Sequence, residues 1–253
     1  MRLEGKVAIV TGAGSGIGRG VSLRFAEEGA SIVVADIDGP RAAETVALVG
    51  EAGGNAVAVT ADVSKGVDVK RLFSEALSAF DGFDILVNNA GILTWAPLLE
   101  ITEEMWDRML EVNLKSMFLC TQEAARYWVR EKRKGRIVNL GSVNSDYAIP
   151  GNAHYSAAKG AVKMFTRAAA VELAPYRINV NAVGPGGTQT NITEAFQDPE
   201  QVAAMEKNLP WGRIAQPRDI ANVILMLASD DAEYVSGQLV FVDGGLTSKM
   251  PGT

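Results

Sequence analysis

Short runs of apolar and β-branched residues alternate with longer segments of helical periodicity along the chain. The short runs are apolar at nearly every position, which is typical of strands covered by helices on both faces of a sheet. This alternation favours right-handed β–α–β units around a parallel sheet. The predicted strands are residues 7–11, 31–36, 56–60, 85–88, 136–140, 179–183 and 238–242.

The segments between these strands have the 3.6-residue apolar period of helices. The predicted helices are residues 16–28, 41–51, 67–80, 103–132, 154–174 and 217–228. Residues 186–211 are the least regular part of the chain, and long irregular segments in compact domains are often lids. Because no linker rich in Pro, Gly or Ser divides the chain, we expect residues 1–253 to form one α/β domain, with a doubly wound parallel sheet of about seven strands and helices on both faces.

Composition excludes several classes of function. The chain has 253 residues, 47% of them hydrophobic and 21% charged, as in ordinary soluble globular proteins. A formal net charge of −6 argues against nucleic acid as a partner. The first residues run straight into a strand without a signal peptide, and no apolar run approaches the ~20 residues of a membrane span. We therefore expect a cytoplasmic protein with no membrane partner.

The cysteine and histidine content narrows the chemistry further. Cys120 is the only cysteine, which excludes an intramolecular disulfide, and its apolar neighbours indicate a buried, inert thiol. His154 is the only histidine, which excludes sites built from several histidines. We predict no metal site.

A glycine-rich loop joins the first predicted strand to the first predicted helix, and residues 11–18 read Thr-Gly-Ala-Gly-Ser-Gly-Ile-Gly. Glycines at such a turn let a pyrophosphate approach the backbone, and the helix N-terminus offers N–H groups to the phosphates. Asp36 ends the second predicted strand, where a carboxylate accepts hydrogen bonds from the adenosine ribose and repels a 2′-phosphate. Since Ser15 and Ile37 are neutral and Arg41 is expected to begin a helix, the pattern predicts NAD rather than NADP.

Two further strand ends complete this predicted dinucleotide site. Asp62 and Val63 follow the third strand, where they are placed to meet the adenine. The Asn-Asn-Ala-Gly run of residues 88–91 follows the fourth strand and puts small residues where the ribose would pass.

Tyr155 and Lys159 are four residues apart and share one face of a predicted helix. A cation within about 4–6 Å favours phenolate, so the lysine is expected to lower the pKa of the tyrosine from its ordinary value near ~10. Ser142 follows an apolar run and could hold a substrate oxygen beside the phenol. The pair alone is more typical of an amphipathic helix with a solvated lysine, so a catalytic interpretation depends on the surrounding motifs.

Together these motifs resemble the short-chain dehydrogenase/reductase family, in its branch of about 250 residues, from Lys6 to Gly245. Residues 11–18 match its cofactor loop TGxxxGxG, and residues 88–91 match its NNAG motif. Pro185-Gly186 with Thr190 matches its PGxxxT segment, and residues 243–245 match its C-terminal Asp-Gly-Gly. The resemblance implies a Rossmann fold. It also implies four catalytic residues, Asn113, Ser142, Tyr155 and Lys159.

The resemblance implies a role for each of these four residues. Tyr155 would be the general acid/base, Lys159 would lower its pKa and hold the nicotinamide ribose, Ser142 would stabilise the reacting oxygen, and Asn113 would support a water relay to Lys159. The predicted cofactor-binding residues are Gly12, Ser15, Gly16, Ile17, Gly18, Asp36, Ile37, Asp62, Val63, Asn89, Ala90, Gly91, Tyr155, Lys159, Pro185, Gly186, Thr188 and Thr190.

The family's substrate pocket would lie between the segments after Ser142, after residue 91 and within residues 186–211. The expected substrate residues are Ser142, Asn144, Trp95, Tyr155 and Gly187, and the neighbouring candidates are Leu93, Val143, Tyr147, Phe196, Met205 and Trp211. This apolar and aromatic set, with one polar anchor in Asn144, predicts a small secondary alcohol or ketone, with polyols and sugars also possible. His154 is expected to pack near the start of its helix.

Two other functions stay open at this point. A 3-oxoacyl-carrier-protein reductase is the competing enzyme, since Arg133 resembles one of its carrier-docking bases. Against it, Val171 stands where a second base is expected, and Asp36 disfavours its usual NADP. A non-enzymatic NAD-binding regulator would have lost the tyrosine or the lysine, and this chain has both.

The family also commonly forms homotetramers through the helices predicted at 103–132 and 154–174. The apolar residues Met117, Phe118, Val162, Met164 and Phe165 are compatible with such packing and with burial against the sheet.

Overall fold

The computed structural model describes residues 1–190 and 198–249. In that part of the chain, seven parallel strands form one sheet in the order β3-β2-β1-β4-β5-β6-β7. The strands are β1 (Val7–Thr11), β2 (Ser31–Asp36), β3 (Asn55–Thr60), β4 (Ile85–Asn88), β5 (Gly135–Leu140), β6 (Ile178–Pro185) and β7 (Leu239–Val242). The chain therefore winds outward from β1 in one direction through β3 and then in the other direction from β4 to β7. This order confirms the predicted doubly wound sheet.

Helices follow the strands and cover both faces of the sheet. They are α1 (Gly16–Ala26), α2 (Gly39–Glu51), α3 (Gly66–Phe80), α4 (Glu103–Leu110), α5 (Ser116–Arg130), α6 (Ala153–Leu173), α7 (Pro199–Glu206) and α8 (Pro217–Ala228). None of the helices in residues 1–190 and 198–249 is both long enough and apolar enough to cross a membrane.

The two faces of the sheet carry separate apolar cores. Ile9 and Val33 belong to the core beneath α3 and α5, where Trp128 and Phe83 are fully buried. The residues that alternate with them along the strands, such as Val10, belong to the core beneath α1 and α8. Both faces are thus buried, which explains why the strand sequences are apolar at nearly every position.

The predicted helix over residues 103–132 differs from the observed structure in its centre. A π-helical turn, Glu111–Lys115, separates α4 from α5. The side-chain amide of Asn113 donates to the Met109 carbonyl at 3.2 Å. That carbonyl is available because backbone hydrogen bonds in a π-helical turn span one residue more than those in an α-helix. Sequence periodicity alone does not reveal such a local change.

A second difference lies in the segment predicted to be irregular. Residues 199–206 form α7, with the Asp198 carboxylate accepting from the Glu200 backbone N–H and with Pro199 in the first turn. An Asp-Pro-Glu sequence is typical of a helix start, so these residues indicate the beginning of α7 in the sequence.

Candidate active site

A cavity of about 860 Å³ lies along the carboxyl ends of the strands, between the loops that follow them. Its walls come from the turn after β1, the ends of β2 and β3, and the segments after β4, β5 and β6. Open parallel sheets place ligand crevices at this edge, where the winding reverses between β1 and β4.

The turn after β1 brings backbone rather than side chains to the cavity. Gly12 has a φ of +61°, and a β-carbon there would lie 2.8 Å from the Ala90 Cα. A β-carbon on Gly18 would lie 2.3 Å from the Gly12 carbonyl oxygen. Gly12, Ser15, Gly16 and Ile17 line the cavity, whereas Gly18 lies behind the turn and allows α1 to pack against it.

Asn89 holds this turn from the neighbouring strand. Its side-chain amide donates to the carbonyl oxygens of Thr11 and Gly12, each at 2.9 Å. The Thr11 hydroxyl in turn accepts from the backbone N–H groups of Asn89 and Ala90, each at 3.1 Å. The turn after β1 and the segment after β4 therefore form one rigid unit.

Asp36 is fixed at the end of β2 with its carboxylate at the cavity wall. One carboxylate oxygen accepts from the Gly14 backbone N–H at 2.8 Å, and the other accepts from the Asp38 N–H at 2.9 Å. Arg41, in the first turn of α2, also lines the cavity and pairs with Asp38 at 3.3 Å. This end of the cavity thus has one carboxylate directed by backbone donors and one cation already paired.

Asp62 and Val63 line the wall beyond β3. Burial acts to raise the pKa of Asp62, but hydrogen bonds from the side chain and backbone of Ser64 outweigh it and hold the pKa below its ordinary value. Arg108 of α4 also lines the cavity and donates to the Ser64 hydroxyl at 3.3 Å. The carboxylate of Asp62 is therefore stabilised in its charged form.

Asn113 reaches the cavity from the π-helical turn. Its amide nitrogen donates to the Ile92 carbonyl at 3.0 Å, which ties the turn to the segment after β4. Its amide oxygen is buried with no hydrogen-bond partner among the described residues, and a β-carbon on Gly91 would lie 2.7 Å from it. An acceptor held in this way is available to a ligand or to an ordered water.

Ser142 lies at the end of β5 within a small polar network. Its hydroxyl accepts from the Asn144 backbone N–H at 3.1 Å and donates to the Asn144 side-chain oxygen at 3.4 Å. The Asn144 amide nitrogen donates to Asn152 at 3.3 Å and to Ser156 at 3.1 Å. These contacts connect Ser142 to the first turn of α6.

Tyr155 and Lys159 both line the cavity from α6, as their spacing predicts. Burial raises the pKa of the Tyr155 phenol, and hydrogen bonding with Ser142 opposes that change. Burial lowers the pKa of Lys159 to about 8, and its ammonium donates to the Leu140 carbonyl at 2.8 Å. The expectation that the pKa of Tyr155 is lowered is therefore wrong: removal of the phenol from water raises it, and the hydrogen bond with Ser142 offsets only part of that change.

The shape and donor set of the cavity fit a dinucleotide. Gly12, Ser15, Gly16 and Ile17 line the cavity at the start of α1, where free backbone N–H groups would bind a phosphate. The Asp36 carboxylate lines it at the end of β2, where a ribose would lie. Within the described ranges, no group of three or more His, Cys, Asp or Glu is placed to hold a metal ion.

The structure brings together every predicted catalytic, cofactor and substrate residue except Gly18. Of the neighbouring candidates, Leu93, Val143 and Met205 line the cavity, Tyr147 and Trp211 lie outside its lining, and Phe196 lies outside the described residues. His154 is fully buried near the start of α6. Sequence reasoning did not assign the lining residues Arg41, Ala61, Ile92, Arg108, Val112, Leu140, Gly141, Ile149, Asn152 and Leu246.

Some of these unassigned lining residues could have been identified from the sequence, and others could not. Ala61 and Ile92 adjoin predicted site residues, and Gly141 precedes Ser142, so extending each motif by one residue would have found them. Arg108 and Leu246 reach the cavity from distant helices and turns, which only the tertiary structure shows.

Known proteins are similar to this chain along nearly its whole length. Residues 12–247 match the family described as "Enoyl-(Acyl carrier protein) reductase". The chain is 43% identical over 249 residues to 3beta-hydroxysteroid dehydrogenase 1 of Eggerthella lenta, covering 97% of this chain and 95% of the relative. It is 40% identical over 246 residues to the 3-oxoacyl-[acyl-carrier-protein] reductase FabG of Thermotoga maritima, covering 97% and 99%.

A similar solved structure is the "putative 2-deoxy-d-gluconate 3-dehydrogenase" of Agrobacterium tumefaciens, which has NADP bound. It is 39% identical in sequence, its TM-score to this chain is 0.90, and the match covers 98% of each chain. The relatives therefore have the same fold and different substrates in their names.

Proposed function

The chain belongs to the short-chain dehydrogenase/reductase family of oxidoreductases, and we propose that it is an NAD-dependent enzyme that interconverts a secondary alcohol and a ketone. The observation that carries this proposal is the convergence of Ser142, Tyr155, Lys159 and Asn113 at one cavity whose opposite end holds Asp36. An acid/base centre and a dinucleotide cradle in the same cavity are what a nicotinamide-dependent reaction needs.

The residues of the chain divide the work between proton transfer and positioning. The bound nicotinamide would supply or accept the hydride at the substrate carbon. Tyr155 would give a proton to the carbonyl oxygen in reduction and take it from the hydroxyl in oxidation, with Ser142 holding the same oxygen. Burial keeps the phenol protonated at neutral pH, which suits it to act as the acid in reduction.

Lys159 and Asn113 would support that transfer. The lysine, held by the Leu140 carbonyl, places a positive charge beside the phenol and would contact the nicotinamide ribose. The unpartnered Asn113 oxygen can accept from an ordered water that passes protons between Lys159 and solvent. The other cofactor-binding residues predicted above would hold the dinucleotide along the cavity.

The preference for NAD is supported by Asp36. Its carboxylate is directed by the Gly14 and Asp38 backbone N–H groups and would repel a 2′-phosphate. Arg41, the cation at the same end, is engaged with Asp38. A similar structure does hold NADP, so both cofactors belong in the assay.

The reductase of acyl chains on a carrier protein is a second candidate, favoured by 40% identity over 97% of this chain. The position of Arg133 argues against this function, because Arg133 does not lie near the cavity of its own subunit. Its guanidinium donates to the Asp84 carboxylate at 3.0 Å, just before β4, at the edge of the sheet opposite the cavity. Val171 is 76% exposed and offers no charge to a carrier.

We further propose a cytoplasmic homotetramer that packs through α5 and α6. Phe118 and Met164 are 42% and 59% exposed on these helices, while Met117 and Val162 are buried in the core. Phe118 and Phe165 contact edge to face at 6.5 Å, so the exposed set is continuous across both helices. Sedimentation velocity would test the assembly, and a monomer at micromolar concentration would refute it.

A dehydrogenase screen tests the proposed function. The purified protein is mixed with NAD or NADP and panels of secondary alcohols, and with NADH or NADPH and panels of ketones, including a 3-oxoacyl thioester, while nicotinamide absorbance is followed. We expect turnover of an alcohol–ketone pair with NAD(H). No turnover with any panel would favour the non-enzymatic regulator, and turnover confined to the 3-oxoacyl thioester would favour the carrier-protein reductase.

A further inference from the structure

The cavity divides into a charged half and an uncharged half. Its charged lining residues are Asp36, Arg41, Asp62, Arg108 and Lys159. Four of them lie near the ends of β2 and β3 and contact Gly14, Asp38 or Ser64, which places them at the adenosine end. The fifth, Lys159, donates to the Leu140 carbonyl. Beyond Tyr155, toward the segments after β4 and β5, the described lining carries no ionic side chain.

The uncharged half is walled by large apolar side chains. Trp95 and Leu93 come from the segment after β4, Ile149 from the segment after β5, Met205 from α7 and Leu246 from the C-terminal turn. Trp95 is 53% exposed and Ile149 is 43% exposed, although both line a concave site. Exposed apolar groups gathered in a concave site mark a surface that a ligand covers.

This apolar wall is held in place before any ligand arrives. The Ala96 backbone N–H donates to the Gly151 carbonyl at 2.8 Å, which joins the two segments that carry Trp95 and Ile149. The Trp95 ring lies against Gly151, where a β-carbon would be 3.4 Å from its Cε3. The buried His154 ring bonds to the Thr94 hydroxyl at 2.8 Å and so ties the same segment to α6.

The C-terminal turn is fixed in a similar way. The Tyr147 hydroxyl donates to the Thr247 carbonyl at 3.1 Å, and the Asp243 carboxylate accepts from the backbone N–H groups of Gly245 and Thr247. Leu246 lies between these anchors. The apolar wall is therefore pre-formed, which lowers the entropy that binding would cost.

Polar groups on this side are largely engaged with one another. The Ser142 hydroxyl and the Asn144 side chain form hydrogen bonds to each other, and Asn144 also donates to Asn152 and Ser156. The hydroxyls of a polyol that entered this half would lose their hydrogen bonds to water without gaining partners, which disfavours its binding.

A carboxylate is disfavoured for a separate reason. Residues 191–197 contain no lysine, arginine or histidine in sequence, so they add no cation to the site. Arg213, just beyond α7, is engaged by the Asp219 carboxylate at 2.6 Å. An anionic group entering the uncharged half would lose its hydration without an ion pair in return.

From this geometry we infer that the substrate is an uncharged, largely apolar secondary alcohol or ketone whose hydrocarbon frame lies against Trp95, Ile149 and Leu246. The inference rests on the proposed dehydrogenase/reductase function and narrows it. The reacting oxygen of the substrate would lie between Ser142 and Tyr155, and the carbon frame of the substrate would point away from the adenosine end. The balanced reaction is ketone plus NADH plus a proton giving alcohol plus NAD.

The test compares four ketones with saturating NADH and, separately, NADPH. They are trans-2-decalone (two fused apolar rings), 2-butanone (small and apolar), fructose (neutral and polyhydroxylated) and 5-ketogluconate (anionic). We expect kcat/KM for trans-2-decalone to exceed those for fructose and 5-ketogluconate by about 100-fold or more. Turnover of either sugar-derived ketone within tenfold of trans-2-decalone would overturn the inference and leave the proposed function standing. No reduction of any ketone in these or the screening panels would overturn both.

Two variants test whether the preference for trans-2-decalone depends on the apolar wall. Trp95→Ala is expected to lower kcat/KM for trans-2-decalone about tenfold more than kcat/KM for 2-butanone, because only the larger frame reaches the indole. Trp106→Ala is the matched control, since Trp106 is 38% exposed on α4 and does not line the cavity. Equal losses for both ketones in Trp95→Ala, or equal losses in the two variants, would contradict the assignment.

A third variant tests the missing cation. Ile149→Arg adds a guanidinium at a half-exposed position of the wall and is expected to raise kcat/KM for 5-ketogluconate relative to trans-2-decalone about tenfold or more. An unchanged ratio in a folded variant would show that the substrate does not lie against this wall.

Discussion

The Lys159 ammonium nitrogen lies over the Tyr155 ring, 5.6 Å from its centroid, one helical turn further along α6. The end of β5 holds it there, because the ammonium donates to the Leu140 carbonyl at 2.8 Å. Burial acts on both groups and disfavours both charged forms, raising the pKa of Tyr155 and lowering that of Lys159 to about 8. The Tyr155 phenol is therefore protonated at neutral pH, and the charge of Lys159 changes with pH near its pKa of about 8.

Replacement of Tyr155 by phenylalanine should separate chemistry from binding. We expect Tyr155→Phe to fold and still to bind NADH, while kcat falls about 100-fold or more because general acid-base transfer is typically worth 10²–10⁴-fold. Stopped-flow turnover and NADH fluorescence titration would measure the two effects. Tyr234→Phe is the control, since Tyr234 is fully exposed. Turnover of Tyr155→Phe within about threefold of the parent would refute its role.

Replacement of Lys159 by methionine should abolish turnover and stabilise the fold. The lysine is charged in both the folded and unfolded states below about pH 8, so the fold bears the cost of a buried ammonium there. Lys159→Met is expected to raise the free energy of unfolding at pH 7 by up to about 3 kcal/mol, and the gain should shrink as the pH rises from 8 to 10.5, where the unfolded lysine also loses its proton.

Urea unfolding at pH 7 and at pH 10 measures this difference. Lys70→Met is the matched control, because Lys70 is exposed on α3 and should change little at either pH. A Lys159→Met variant less stable than the parent at pH 7 would mean that the ammonium contributes more through its hydrogen bond to Leu140 than it costs through burial.

The charge of Asp36 should set the cofactor preference. Asp36→Asn keeps a side-chain acceptor for the Gly14 N–H and removes the charge that would oppose a 2′-phosphate. We expect the parent to have a higher kcat/KM with NAD than with NADP, and the variant to reduce that ratio about tenfold or more, equivalent to about 1.4 kcal/mol. Asp107→Asn, exposed on α4 outside the cavity lining, is the control. A higher kcat/KM of the parent enzyme with NADP than with NAD would contradict the proposed preference for NAD.

Gly18 should tolerate no side chain, although it does not line the cavity. A β-carbon would lie 2.3 Å from the Gly12 carbonyl and 2.5 Å from the Asn89 amide nitrogen. Gly18→Ala is expected to lower the free energy of unfolding by about 1–3 kcal/mol and to weaken NADH binding, because α1 must move away from the glycine turn.

Gly50→Ala is a matched helical control. A β-carbon on Gly50, in α2, would meet nothing within 4 Å, so alanine there is expected to stabilise the fold by about 0.4–1 kcal/mol. Unfolding midpoints in urea would compare the two variants. Equal stability of Gly18→Ala and the parent would show that the packing behind the turn is looser than the structure indicates.

Much of the fold could be predicted from the sequence because its signals are local. The strands β1, β2 and β4 and the helix α8 have the predicted bounds, since uninterrupted apolar runs and a Pro at a helix start identify them. The strands β3, β5 and β6 begin one residue earlier than predicted, and β6 also extends two residues further, to Pro185. Strand β7 begins one residue later than predicted, at Leu239. Helix ends differ by up to two residues, except in the segment around the π-helical turn at Glu111–Lys115, because end positions depend on caps and side-chain competition.

By itself, the sequence determined the class of the protein, since the glycine turn, Asp36 and the Tyr155–Lys159 spacing are each set by residues close in the chain. The tertiary structure alone decided how these groups influence one another. It placed the Asn89 amide on the Gly12 carbonyl, raised the pKa of Tyr155 by burial and gathered Trp95, Ile149 and Leu246 into one wall. Desolvation and contacts between distant segments depend on how the strands and helices pack, and sequence periodicity carries no direct record of either.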